Sequence, residues 1–157
     1  MRALHLRRAS RGFTAVELMI VVVIVAILTA MAGPWMGHMV RAQRLRTASF
    51  DMNTSLQLAR SEAIKRNVAV TIAPNSGNWA AGWVIQDANG TVLKRQEAFD
   101  TLGIVGPTSV VYTGSGRVSF GTGQFVITAD LGSGQGVKCR YVTVDLSGRA
   151  VSKEAPC

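Results

Sequence analysis

The chain has 157 residues, with 17 lysines and arginines against 9 aspartates and glutamates, for a formal charge of +8. That length has room for one long helix and one globular domain of about 90 residues. Histidine occurs only at positions 5 and 38, and no CxxC pair or His-rich spacing is present. A Ser/His/Asp set cannot be built in the C-terminal part, so no enzyme, metal site or cofactor is expected; only a Ser/Lys dyad is not formally excluded.

Residues 1–12 carry Arg2, Arg7, Arg8 and Arg11 and no acid. They supply half of the excess charge, since the remaining chain has 13 basic and 9 acidic residues, a net +4. From Phe13 to Gly33 every residue is apolar or small except Thr14, Glu17 and Thr29. As a helix this run spans roughly 30 Å, the thickness of a bilayer's hydrocarbon core. The arginines before it predict a cytoplasmic N-terminus and an exported remainder. A charge at Glu17 costs about 3 kcal/mol in such a setting unless it is paired.

Three readings compete for this segment. A cleaved secretory signal would use Ala30-Met31-Ala32 as its cleavage site, but a carboxylate is unhelpful there and Pro34 falls almost on the scissile bond. A plain single-span anchor leaves Glu17 without a purpose. The third reading rests on Gly12-Phe13-Thr14-Ala15-Val16-Glu17 after a basic leader and before a long apolar run. This pattern resembles the class III signal of type IV prepilins. The resemblance implies that a prepilin peptidase cuts after Gly12 and methylates the new amino terminus at Phe13. It also implies that Glu17 neutralises such an amine, on its own subunit or on a neighbour, during assembly. A proline at the position of Pro34 is frequent in pilins and kinks their helix.

Residues 38–67 hold no proline or glycine, and Leu45, Ala48, Met52, Leu56, Ala59 and Ala63 recur at three- and four-residue steps. That spacing predicts an amphipathic helix with one apolar stripe, and Arg41, Arg44, Asp51, Arg60, Glu62 and Lys65 largely on other faces. Joined to the apolar run it would make a spine near 80 Å long. After Asn67 the period falls to two. Strands are predicted over 68–73, 82–86, 91–96, 110–112, 117–120, 125–131, 138–146 and 149–152, with Asn89-Gly90 as the clearest hairpin turn. Glycine is concentrated from Gly77 onward, as many tight turns require. Gly132-Ser133-Gly134-Gln135-Gly136 precedes a strand and reads as a loop rather than a phosphate cradle.

The segment Ala59-Arg60-Ser61-Glu62-Ala63-Ile64, then Trp79-x-x-Gly82-Trp83 with Asp87-x-x-Gly90, then Arg140-x-Val142-x-Val144 with Ser147-Gly148-Arg149, is similar to the GspH/FimT family of minor pilins and pseudopilins. The resemblance implies an α+β, pilin-like fold: a long N-terminal transmembrane and amphipathic helix packed on a head of two small antiparallel sheets. The expected divisions are a leader at 1–12, a transmembrane and assembly helix at 13–35, its amphipathic continuation at 36–67 and the head at 68–157. Of Trp79 and Trp83, one is expected in the core and one at an interface.

In an exported head, Cys139 and Cys157 read as a disulfide, the alternative being two unrelated thiols. The implied partners are prepilin peptidase, other pilins or pseudopilins, and the inner membrane. Implied roles divide between a type IV pilus subunit that helps initiate assembly at the tip and a pseudopilin of type II secretion. A third role follows from FimT-like pilins, which capture DNA through a G-R-x-R turn. Here Gly148-Arg149 matches, Val151 replaces the second arginine, and Lys153 lies two residues on. In a strand Arg149, Val151 and Lys153 share a face, and Lys138, Arg140 and Arg117 are candidates to extend a weak, sequence-blind phosphate patch. A merely solubilising set of charges is the alternative.

Overall fold

The structure is a computed structural model that describes residues 13–132 and 136–157, without the side chains of 31–36. The leader with Gly12, the centre of the 132–136 loop, and the side chain of Pro34 therefore lie outside the described residues.

One helix, α1, runs from Ala15 to Arg66. Thr14 caps it: the backbone N–H of Glu17 donates to Thr14 Oγ1 at 3.2 Å, and Leu18 N–H donates to Thr14 O at 3.1 Å. Thr14 and Glu17 thus stand at the first and last positions of a capping-box sequence. Thr29, the other hydroxyl of the apolar run, turns its Oγ1 back onto Val25 O and Ala26 O, so its proton is satisfied within the helix. Among the described residues no helix is long and apolar enough to cross a membrane. The expected span at 13–35 extends into 31–36, whose side chains are outside that description.

The chain divides into two compact units between Met36 and Gly37. In the second, the six stripe residues Leu45, Ala48, Met52, Leu56, Ala59 and Ala63 are all buried, at 0–3% exposure. They pack in one core with the strands, where the small alanines at 48, 59 and 63 permit close approach and Met52 and Leu56 are fully buried. The helix stops at Asn67, whose φ of 53° is left-handed, with Lys65 and Arg66 in the last turn, where they oppose the helix dipole.

Nine strands follow among the described residues: β1 (Val70–Asn75), β2 (Asn78–Asp87), β3 (Val92–Gln96), β4 (Leu102–Val105), β5 (Val110–Tyr112), β6 (Val118–Phe120), β7 (Gly123–Asp130), β8 (Val137–Val144) and β9 (Ala150–Ala155). They form two antiparallel sheets, ordered β3-β2-β1-β5-β6 and β4-β7-β8-β9. Strand β4 has no counterpart in the sequence reading. The strand predicted to stop before Pro74 continues to Asn75, because β5 pairs with β1 only over Val70–Ile72 and leaves the proline on an open edge.

Trp79 and Trp83 are both in the core, which corrects the expectation of one apiece. Trp79 is 3% exposed and donates from Nε1 to Pro107 O at 2.8 Å; Trp83 is fully buried. Trp79 meets Phe125 edge-on at 4.9 Å, and Trp83 stacks on Phe99 at 5.6 Å. Four residues apart on a strand, the two rings share a face.

Asp87 joins helix to hairpin. Its Oδ1 accepts from Asn89 N–H at 2.9 Å and Thr91 N–H at 3.0 Å, and Arg66 reaches Oδ2 at 3.5 Å while holding Glu62 at 2.6 Å. The Thr91 hydrogen bond is the main cause that holds this carboxyl below its ordinary range, against the opposing effect of burial. A depressed folded pKa stabilises above the unfolded value, near 3.9, and that stability is lost as pH falls through the folded pKa. The head's urea midpoint is expected to be flat near neutrality and to fall below about pH 4. Asp87→Asn should lower the midpoint at pH 7 and flatten its acid limb; an unchanged limb would assign the acid sensitivity to other carboxylates.

Candidate functional site

Two regions carry the residues of interest. The first is the start of α1. Phe13 lies just outside the helix and is exposed, and Glu17 is in the first turn, where its charge also complements the helix dipole. Glu17 is exposed in the single chain, as is every described side chain of 13–30.

The second region is the end of the head where β6 meets the β8–β9 turn. Asp145 organises that turn: Oδ1 accepts from the Ser147 hydroxyl at 2.6 Å and from Arg149 N–H at 3.0 Å, and Gly148 N–H donates to Asp145 O at 3.0 Å. The Ser147 bond is the largest of the effects that lower its pKa. Val118 N–H then donates to Leu146 O at 3.2 Å, docking the turn on β6. Gly148 has φ 80°, and a Cβ there would collide with Gly116 O and lie 3.2 Å from the Tyr112 ring. Such close approach brings the turn bearing Arg149 against the turn bearing Arg117.

Of the five basic residues of the predicted patch, Arg117 and Arg149 lie on turns that meet, Lys138 and Arg140 share one face of β8, and Lys153 lies apart on β9. Arg140 lies opposite Glu154 in the β8–β9 ladder and forms an ion pair with it at 2.6 Å. It also shares a groove with Arg46 and Phe50 of α1. Alternation puts Lys138 on that same inner face of β8, at its exposed start. Ser152 Oγ meets Ser49 Oγ of α1 at 2.8 Å, so Val151 and Lys153 point to the opposite, outer face of β9. Arg149 and Arg117 are exposed at the turn end.

Sequence reasoning missed Arg60. Its place between the buried Ala59 and Ala63 predicted a solvated face, yet its Nε is buried without a hydrogen-bond partner. A Cβ on either Gly116 or Gly148 would sit 3.3 Å from that nitrogen. The Tyr112 hydroxyl close by is likewise buried and unpartnered, and burial pushes its pKa up to about 12. Helical spacing alone could not reveal this, because both glycine turns lie far away in the chain.

Cys139 and Cys157 are joined by a disulfide, with Cα atoms 5.2 Å apart. The bond fastens the end of β9 to β8, and Tyr141 OH donates to Pro156 O at 3.0 Å beside it. Cys157→Ser is expected to cost about 3 kcal/mol of head stability in the loop-entropy account. Urea unfolding with and without reductant checks this: reductant should lower the wild-type midpoint to that of the variant and leave the variant unchanged.

A long helix whose later part packs on two small antiparallel sheets defines a pilin-like fold. The chain belongs to the family described as type II transport protein GspH, whose sequence model matches residues 48–148. A second match, the prokaryotic N-terminal methylation motif, covers residues 7–33. Two crystal structures of the type IV minor pilin FimU from Pseudomonas aeruginosa (strain PAO1) are similar in fold. The P21 form has TM-score 0.54 at 24% identity, covering 73% of this chain and 90% of that one. The P65 form has TM-score 0.51 at 23% identity, covering 69% and 91%. No curated protein matches the chain.

Proposed function

We propose that the chain is a minor pilin. Prepilin peptidase cuts after Gly12 and methylates Phe13. The helix over 13–35, kinked at Pro34, holds the protein in the inner membrane with its head in the periplasm. The subunit then enters a type IV pilus through α1 and helps to initiate assembly at the tip, alongside other pilins. The observation that carries this reading is the methylation motif over residues 7–33, which runs into a helix whose later part packs in the core of the head. Mass spectrometry of the mature amino terminus tests it. N-methyl-phenylalanine from Phe13 is expected; a chain beginning at Met1 or Gly33 would end the proposal.

A pseudopilin of type II secretion is the second reading, supported by the description of the matching family. Deleting the gene separates the two, since loss of surface pili with normal exoprotein secretion supports the pilus and the reverse supports secretion.

A further inference from the structure

We propose that the groove between Arg60 and Arg149 receives a carboxylate side chain from a different, acidic subunit beside this one in the filament. This rests on the minor-pilin reading and adds a partner chemistry to it. The groove, of about 470 Å³, is formed by Gln57, Arg60 and Ile64 of α1 and by Gly148, Arg149 and Ala150 of the β8–β9 turn. Two arginines from separate elements therefore line one groove. Among the described residues neither has a carboxylate within 4.0 Å. Asp145 acts on Arg149 only through space, since its carboxylate is bonded to the Ser147 hydroxyl and the Arg149 backbone N–H. Two arginines that line one groove without a directly bonded carboxylate favour an arriving anion, and guanidinium suits a carboxylate because it donates from a planar fork.

The dimensions and surroundings favour a single side chain. Ile64, 51% exposed, and Ala150 give the groove apolar walls for the methylene groups of a glutamate or aspartate. A nucleic acid needs a row of cations, but beyond Arg117 at the neighbouring turn the row stops: Arg140 is neutralised by Glu154 and Lys153 faces outward from β9. No aromatic side chain lines the groove for base stacking. A second copy is a poor occupant, since the chain without residues 1–12 is itself basic, with 13 basic and 9 acidic residues. The groove also lies along α1, so a neighbour that packs on this helix brings its own side chains past it.

The test uses the full-length protein in its native membrane, with a photoreactive benzoylphenylalanine introduced as Ser61→benzoylphenylalanine at the groove's edge. Illumination is expected to give one adduct with another filament subunit, mapping within a few residues of an aspartate or glutamate. Arg149→Glu should reduce that adduct about tenfold or more, and Arg149→Lys should keep most of it. Changing the mapped acid to lysine should restore the adduct to Arg149→Glu. The reductant-sensitive gel shift of the Cys139–Cys157 bond checks that each variant folds. A cleaved and incorporated chain whose adduct is absent, indifferent to Arg149→Glu, or formed with DNA overturns this inference alone. An uncleaved chain overturns the minor-pilin reading, and the inference with it.

Discussion

Glu17→Ala is expected to reach the membrane and to be cleaved as the wild type is, yet to be almost absent from sheared filaments. Two roles are open to Glu17, and they predict different things. As the last residue of a Thr14-x-x-Glu17 capping sequence it supports the first turn of α1, where its backbone N–H meets Thr14 Oγ1. Loss of that role costs about 1 kcal/mol of helix stability. As the partner of a methylated Phe13 amine it would instead neutralise a charge in an apolar filament core. Removing one member of such a pair costs about 3 kcal/mol or more, roughly a hundredfold in incorporation.

Glu17→Gln separates the two roles, because glutamine serves in a capping box as well as glutamate does but carries no charge. If the pairing role holds, the glutamine variant fails in filaments as badly as the alanine one. Near-normal incorporation of Glu17→Gln, measured by immunoblot of sheared filaments against membrane fractions, would leave only the cap.

The elements read correctly from sequence are those specified locally. The apolar stripe from Leu45 to Ala63 needs only helical spacing, and all six of its residues are buried. The hairpin at Asp87–Gly90 is written in its Asn-Gly pair, and Gly90 has the positive φ such a turn demands. Strand β4 was illegible for the opposite reason. Leu102-Gly103-Ile104-Val105 is short and holds a glycine, and it is a strand because Leu102 to Val105 pair with β7 residues Ala129 to Val126. Even spacing in a strand should have put Trp79 and Trp83 on one face, so their joint burial was legible and was misjudged. The basic site divides in the same way. Arg149 and Lys153 could be located from the turn sequence, whereas the neutralisation of Arg140 needed the β8–β9 register, and the seating of Arg60 needed two remote glycine turns.

Gly148→Ala is expected to destabilise the head far more than Gly90→Ala, although both glycines have φ 80°. At that φ an L-residue costs about 1–2 kcal/mol, so each substitution bears this strain. Around Gly90 a new Cβ would meet nothing within 4 Å, and the strain is the whole effect. At Gly148 the Cβ is aimed at the backbone oxygen of Gly116, with the Tyr112 ring and Arg60 Nε just beyond it. No rotamer change relieves a clash with backbone, so the β8–β9 turn must lift away from β6, and the Val118–Leu146 hydrogen bond weakens with it. The total should exceed about 3 kcal/mol, within the range reserved for overpacking and backbone strain together. Urea unfolding of the full-length protein in detergent, followed by the fluorescence of the buried Trp79 and Trp83, measures both variants. Equal midpoints for the two would mean that the turn is not seated against β6, and the groove beside Arg60 would then have no fixed wall.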